Sequence, residues 1–456
     1  MLLELFWSAL SRDPAATAQA VAGVAGGRAK LKAKLAEVGK VDVSALPYRA
    51  EVVERIEAQR AHGGETLLCT ASPQPVADAI AAHLGLFDSA VGSSPDLNLK
   101  GKAKSHYLVD RYGVGGFDYV GDSRADLPVW ANAGTAIAVE PASTLKARIR
   151  SHGGGVETVG SVANSVKPAI RAMRPHQWAK NLLVFVPAIA SHQVGFEALV
   201  PTLLTFIAFS LVASAIYLVN DLLDLEADRA HPRKRNRPLA SGALPLLHGS
   251  LLAPVLLALG LVCAALVGRP AVVGILVCYI LLTLSYSMWL KRKLLVDIFA
   301  LAGLYTIRVV AGAAAIGVMP SFWLFGFSIF LFLSLASVKR QAELVDGLKT
   351  GRDRASGRAY IVSDLPVISM FASAAGYVSV LIFALYISSP DVQALYGAPA
   401  FLWLICLVLL YWVSRMTMVA HRGRMHDDPI VFAVKDKVSR LCLLLIGASV
   451  ALATLL

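Results

Sequence analysis

From residue 175 onward the chain alternates apolar stretches of about twenty residues with short polar interruptions. A bilayer core of about 30 Å needs roughly 20 helical residues, so this pattern predicts membrane-spanning helices. Nine are expected, near 177–194, 199–221, 246–267, 270–290, 297–317, 321–339, 365–388, 399–420 and 438–456. The segments 199–219, 270–290, 365–388 and 392–414 contain no Asp, Glu, Lys or Arg. Residues 1–150 follow a different rhythm. Short apolar runs there, Glu65–Thr70 and Phe117–Gly121, each end in a polar loop, the pattern of an α/β domain whose site lies at the C-terminal edge of its strands. The stretch 151–168, with Gly153, Gly154 and Gly155, is expected to be a linker, leaving 169–456 as the transmembrane domain.

Composition agrees with two unlike parts. The 456 residues are 56% apolar and only 16% charged, which excludes disorder and a wholly soluble fold. The net charge of +12 is unevenly placed. Residues 1–170 hold 18 Lys/Arg against 17 Asp/Glu, whereas the oilier residues 171–456 hold 25 against 14. Basic groups in an apolar half imply membrane orientation or a polyanionic substrate rather than nucleic acid. Loops after the second, fourth, sixth and eighth expected spans carry clusters of Lys and Arg, while the other loops carry only Arg269. That bias places the basic loops and the N-terminal domain in the cytoplasm of an integral inner (cytoplasmic) membrane protein. The N-terminus has no secretory signal pattern. Cys69, Cys263, Cys278, Cys406 and Cys442 form no CxxC pair and are expected to be small buried hydrophobes.

Candidate chemistry gathers at the cytoplasmic ends of particular spans. Around a helix of 100° per residue, Tyr217, Asn220, Asp221, Asp224 and Asp228 fall within one arc at the end of the second span. Hard oxygen donors of this kind hold Mg²⁺ while the ion keeps phosphates and waters. The competing reading is a solvated helix end whose acids pair with Arg229, Arg233 or Arg235. The adjoining run Arg229–Gly242 supplies five cations, and acids beside cations describe a Mg²⁺–diphosphate site.

The run Asn220-Asp-x-x-Asp224-x-x-x-Asp228 resembles the first aspartate-rich motif of the UbiA-type intramembrane prenyltransferases. Tyr286, Ser287 and Lys291-Arg292 are similar to that family's Tyr/Lys loop motif. The resemblance implies a nine-helix fold, Mg²⁺ as cofactor and a diphosphate donor whose carbon passes to an acceptor. The family's second motif, a DxxxD, is expected at the end of the sixth span. Here that place reads Val338-Lys339-Arg340-Gln341-Ala342-Glu343-Leu344-Val345-Asp346, with cations where acids belong.

Arg174-Pro-His-Gln177-Trp178-Ala-Lys180-Asn181, the Lys339–Glu343 run, and Asp297 followed by Tyr305 and Arg308 resemble the polyprenyl-phosphate phosphoribosyltransferase branch. That branch implies 5-phosphoribosyl 1-diphosphate as donor and a polyprenyl phosphate as acceptor. Arg174, Gln177, Trp178 and Asn181 would share one helical face, as would Asp297 and Arg308. Arg308 lies within an apolar span and must find an anion, water or a structural partner such as Asp297. In this reading Asn220, Asp221, Asp224 and Asp228 hold the metal. Lys291, Lys339, Arg340 and Arg237 neutralise phosphate, and no nucleophilic side chain is required.

In the soluble part, Thr70-Ala71-Ser72, Lys100–Lys104 and Gly121-Asp122–Asp126 resemble motifs two to four of the haloacid dehalogenase-like (HAD) phosphatases. Thr70, Lys104, Asp122 and Asp126 are the residues that carry that likeness. The family's first strand ends in DxD, and the first 40 residues contain none. A late gene start or a degenerate scaffold accounts for this, and no phosphatase activity is expected. Two further functions compete: prenyl transfer from a prenyl diphosphate to an aromatic or other lipid-pathway acceptor, and transport. A transporter would place its polar groups at mid-depth on broken helices, whereas these acids cluster at helix ends.

Overall fold

The computed structural model describes residues 1–23, 28–94, 96–140, 143–150, 155–160, 166–193, 195–319, 321–351, 353, 358–393, 396–425 and 428–455. Its contacts divide it into two compact units. One joins Met1–Met173 to Leu218–Leu252, and the other joins Arg174–Tyr217 to Ala253–Leu456. The units therefore do not follow chain order, because the acid-rich run after Tyr217 packs with the N-terminal residues.

The first unit begins with α1 (Leu2–Arg12), α2 (Pro14–Ala22) and α3 (Arg28–Val38), which bury Leu5, Ala9, Ala20 and Leu35 among themselves. Asp13 caps α2 by accepting from the Ala16 N–H, and Pro14 at the first helical position needs no partner for its missing N–H. Five strands follow: β1 (Leu67–Pro73), β2 (Ser89–Ser93), β3 (Tyr119–Gly121), β4 (Thr135–Val139) and β5 (Gly155–Val159). All pairings are parallel, but they form two sheets, β1–β2 and β3–β4–β5. Parallel strands are normally covered and paired on both sides. Here β1 and β3 each pair on one side among the described residues, and a cavity of about 680 Å³ is lined by Leu67–Cys69 of β1 and by Tyr119 and Val120 of β3.

The expected linker at 151–168 is not a plain connection. Gly155–Val159 forms β5 and pairs with β4 along its whole length, and Val166–Met173 is helical. The β-branched Val156, Thr158 and Val159 suit a strand, and the exposed Glu157 and Thr158 suit one at an edge. Positions 151–154 and 161–165 lie outside the described residues.

Eight helices among the described residues are long and apolar enough to cross a membrane. They include α4 (Phe196–Leu223), α6 (Leu246–Leu266), α7 (Pro270–Met288), α8 (Val296–Ile316), α9 (Phe322–Lys349), α10 (Leu365–Ile387), α11 (Trp403–His421) and α12 (Lys437–Leu455), with the short α5 (Leu225–Ala230) after α4. The expected span at 177–194 is instead a 3₁₀ stretch, Pro175–Phe185, followed by the five-residue helix Val186–Ala190. Pro175 and Pro187 remove backbone donors within that run, and neither piece is long enough to span. Eight of the nine expected spans are thus found as long apolar helices among the described residues. Cys406 and Cys442 are buried as expected, whereas Cys278 is exposed on α7.

In the second unit α8 is the most enclosed helix, packed against α7 and α9. Its small residues explain the packing. A side chain at Gly312 would collide with the Val184 carbonyl, so glycine lets the 175–190 segment lie directly on α8. Gly317, with φ +75, closes the helix in the left-handed conformation.

Candidate active site

The acid-rich run lies at the junction of α4 and α5. α4 ends at Leu223, and Asp224 breaks the helical phase with φ −92 and ψ 13 before α5 starts. The turn is slight, since the Asp224 N–H still donates to the Asn220 carbonyl and the Asp228 N–H to the Asp224 carbonyl, yet burial differs along the run. Asp221 and Asp228 are buried, whereas Asp224 is exposed and Asn220 half-buried. Arg237 joins the two buried acids, its Nη1 donating to Asp221 Oδ1 at 3.1 Å and to Asp228 Oδ2 at 2.5 Å. The basic loop thus pairs with Asp221 and Asp228 through Arg237 and, at 3.9 Å from Asp228, through Lys234, not through Arg229, Arg233 or Arg235. Burial pushes the Asp228 carboxyl above its ordinary range, against the opposing pull of Arg237.

Asp228 Oδ1 is buried and accepts no hydrogen bond among the described residues, its ion-pair partner Lys234 lying 3.9 Å away, which leaves this hard oxygen able to take a cation. Among the described residues no three acidic, His or Cys side chains form a ready-made metal cage. Mg²⁺ does not require one, since it commonly binds one or two carboxylates and fills its octahedron with phosphate and water. The donor set fits that mode.

In the second unit, cations and acids interlock at the cluster end of α8 and α9. Asp297, fully buried at the start of α8, forms an ion pair with Arg340, whose Nε lies 2.7 Å from Oδ2, and accepts at Oδ1 from Arg358 Nη1 at 2.9 Å and the Tyr286 hydroxyl at 2.9 Å. Arg340 also pairs with Glu343 one turn along α9 and donates to Tyr286 at 3.2 Å. Beside these, Asp428 Oδ2 receives Lys180 at 2.9 Å, Lys339 at 3.1 Å and the Tyr305 hydroxyl at 2.8 Å. Burial opposes ionisation of Asp428, but the two ammonium groups hold its carboxyl well below the usual range. Four cations against three carboxylates leave the group with one net positive charge.

The expected face of Arg174, Gln177, Trp178 and Asn181 is realised in altered form. The segment is 3₁₀, so Trp178 and Asn181 are one turn apart and donate to Ser214 and Ser210 of α4, at 3.0 Å each. Arg174 lies over the Tyr217 ring, 4.9 Å from its centroid. Arg308 does not meet Asp297. It donates to Asn181 Oδ1 at 2.7 Å, to the Tyr279 hydroxyl at 3.1 Å and to its own helix at the Leu304 carbonyl. Lys291 is half-buried in the turn Leu290–Arg292 after α7. Asp428 and Arg358 were not among the sequence candidates. The only signal was the Asp428-Pro429 pair, which marks a helix start, and Asp428 does cap the helix Pro429–Lys435.

Thr70, Lys104, Asp122 and Asp126 line one cavity of about 450 Å³ with Ser72, Lys32 and Met1. Lys104 donates to the Tyr119 hydroxyl at 2.7 Å, and that hydroxyl donates to Asp126 at 3.0 Å. Burial, reinforced by Asp126, pushes the Tyr119 phenol up. The motifs separated by half a domain in sequence therefore meet in one pocket, at the C-terminal ends of β1 and β3.

An acid-rich helix end with a cation-rich cluster in a multi-pass bundle matches a family model described as the UbiA prenyltransferase family, over residues 181–454. The chain belongs to this family. Residues 1–130 match the haloacid dehalogenase-like hydrolase model. This UbiA-family chain is thus an integral, multi-pass membrane protein fused to a HAD-like domain. It is similar to an uncharacterised protein of Sinorhizobium fredii, y4nM, at 40% identity over 91% of this chain and 80% of that protein. It is also similar to a decaprenyl-phosphate phosphoribosyltransferase of Mycobacterium tuberculosis, at 38% identity over 41% of this chain and 64% of that enzyme. A UbiA homologue from Archaeoglobus fulgidus, solved with GPP and Mg²⁺, covers 62% of this chain and 99% of its own at a TM-score of 0.47 and 15% identity.

Proposed function

We propose that this UbiA-family transferase moves phosphoribosyl from 5-phosphoribosyl 1-diphosphate to a polyprenyl phosphate. The observation that carries the reading is the net positive cluster where the family's second acid motif is expected. Lys339 and Arg340 occupy that place and are built into a network with Lys180, Arg358, Asp297, Glu343 and Asp428. A second Mg²⁺ would need carboxylates there, whereas a donor carrying an extra phosphate is served by cations. The likeness to the mycobacterial enzyme supports the same reading.

When bound, Mg²⁺ would neutralise charge on the departing diphosphate. Asp221 and Asp228, with Asn220 and Asp224, are the residues that would hold it. Arg237, Lys180, Lys291 and Lys339 bind phosphate oxygens. The bond between ribose C1 and the diphosphate oxygen breaks with its electron pair leaving on diphosphate. A polyprenyl phosphate oxygen then forms the new bond to C1. Positioning and charge stabilisation are sufficient for such a transfer. The acids and basic loops lie on the cytoplasmic side of the inner membrane, where a soluble donor is available. The proposed transfer assigns no chemical step to the HAD-like domain.

The test offers labelled 5-phosphoribosyl 1-diphosphate and a labelled prenyl diphosphate separately, with polyprenyl phosphate and Mg²⁺ in detergent. Lipid product from the ribosyl donor, lost in Asp224→Ala, is the expected result. Product from the prenyl donor alone would overturn the reading in favour of prenyl transfer.

A further inference from the structure

Within the first unit, α1 is a two-faced helix. Leu5 and Ala9 close the small core with Ala20 and Leu35, and the remaining side carries Glu4, Trp7, Ser8, Ser11 and Arg12. Those side chains address the acid-bearing segment. Glu4 accepts both terminal nitrogens of Arg229, Nη1 at 3.1 Å and Nη2 at 2.8 Å. Arg229 is 7% exposed and Glu4 14%, so this fork-to-fork pair is largely withdrawn from water. The third guanidinium nitrogen of Arg229, Nε, donates to the Ala240 carbonyl at 3.2 Å. Arg12 grips Glu226 at 3.0 and 3.2 Å, and Trp7 donates to Ser250 at 2.9 Å.

Arg229 is therefore fastened at both ends of the loop that it opens. It follows Asp228 directly, and its bond to Ala240 closes residues 229–240 into a ring of chain. Arg237, which bridges Asp221 and Asp228, sits within that ring. Without Glu4, the largely buried Arg229 charge would lose its counter-charge one residue from Asp228, and the loop that holds Arg237 would lose its anchor.

We infer that Glu4 is a positioning residue for the Mg²⁺–diphosphate site, with Arg12 as its weaker second, so that α1 of the HAD-like domain acts as a brace for the transferase's acid-rich segment. The inference rests on the reading of Asp221 and Asp228 as metal-holding residues. It gives the fused domain a role that requires no phosphatase chemistry.

The test uses the full-length chain with Glu4→Gln, Arg12→Gln and the double variant Glu4→Gln/Arg229→Gln. One readout is hydrogen exchange of residues 225–240, which requires no activity. The other is the Mg²⁺ concentration for half-maximal transfer from labelled 5-phosphoribosyl 1-diphosphate. Loss of Glu4 is expected to speed exchange across 225–240 and to raise the Mg²⁺ requirement on the order of tenfold, as removal of a residue supporting a metal ligand does, with the rate at saturating Mg²⁺ changed far less. The double variant is expected to be no worse than Glu4→Gln alone, since it removes the stranded charge. Wild-type exchange and Mg²⁺ requirement in Glu4→Gln would overturn the brace. Should Glu4→Gln fail to fold, Arg12→Gln decides: faster exchange at 225–230 supports the brace and unchanged exchange overturns it. If the wild-type chain transfers nothing from this donor, the proposed reaction fails while the exchange arm still decides the inference.

Discussion

The Lys180 ammonium lies 2.9 Å from the Asp428 carboxylate, tying the 3₁₀ segment ahead of α4 to the loop between α11 and α12. Lys339 of α9 and Tyr305 of α8 donate to the same oxygen, so four parts of the second unit meet on one carboxylate. Asp428→Asn leaves the buried Lys180 and the half-buried Lys339 facing a neutral amide. The loss is expected to be about 3–5 kcal/mol, the range for breaking a buried pair by removing one partner, and a thermal melt in detergent checks it.

The same carboxyl sets a pH dependence. Its folded value is depressed below the usual 3.8 by Lys180 and Lys339, so its stabilisation is present above that value and lost as pH falls below it. Melting temperatures of the wild-type chain should drop on acidification below about pH 4, by the reference carboxylate value. Asp428→Asn should flatten that acid limb. Parallel acid limbs for the two proteins would show that Asp428 does not titrate as described.

Gly312 and Arg308 stand one helical turn apart on α8 and serve the same contact. Gly312 admits the Val184 backbone, and Arg308 reaches Asn181 on that segment at 2.7 Å. Gly312→Ala should push the segment off α8 and destabilise by about 1–3 kcal/mol, the range for overpacking. Chemical denaturation compared with Gly274→Ala, where added bulk meets open space, separates this from loss of glycine alone.

Asp221 and Asp228 share Arg237, and their removal should differ from that of Arg237 itself. Asp228→Asn is expected to lower transfer by two orders of magnitude or more at limiting Mg²⁺, since it removes the charge of the buried carboxylate whose Oδ1 accepts no hydrogen bond. Arg237→Ala should leave the metal oxygens in place and mainly raise the KM for the donor. Steady-state kinetics with Mg²⁺ and donor varied independently distinguish the two.

The split sheet of the HAD-like domain has its own signature. β4 is paired on both sides, whereas β1 and β3 each have one partner strand among the described residues. Amides of Ala136–Ala138 should exchange with deuterium at least tenfold more slowly than those of Leu67–Cys69, because unpaired edges open at low free energy. Equal protection would mean that a further strand covers β1.

Much of this protein is legible in its sequence because its strongest signals are local. Hydropathy marks the eight long apolar helices, most of them to within a few residues, since a bilayer demands continuous apolar runs whatever the neighbours are; α9 is the exception, running ten residues past the expected end at 339 to Lys349. The acid run Asn220–Asp228 and the soluble motifs at Thr70, Lys104 and Asp122 are likewise short patterns, visible without folding. The segment 177–194 reads as a span by composition alone, and only its two prolines and its docking on Gly312 make it a 3₁₀ stretch. Partnership is what the tertiary structure decides. Periodicity puts Asp224 with Asp221 and Asp228, but packing buries those two and leaves Asp224 exposed. Spacing puts Asp297 opposite Arg308, yet helix packing delivers Asp297 to Arg340 and Arg358, and Arg308 to Asn181. A buried charge takes whichever counter-group the fold brings within about 3 Å, and that distance depends on elements far apart in the chain, which no local pattern encodes.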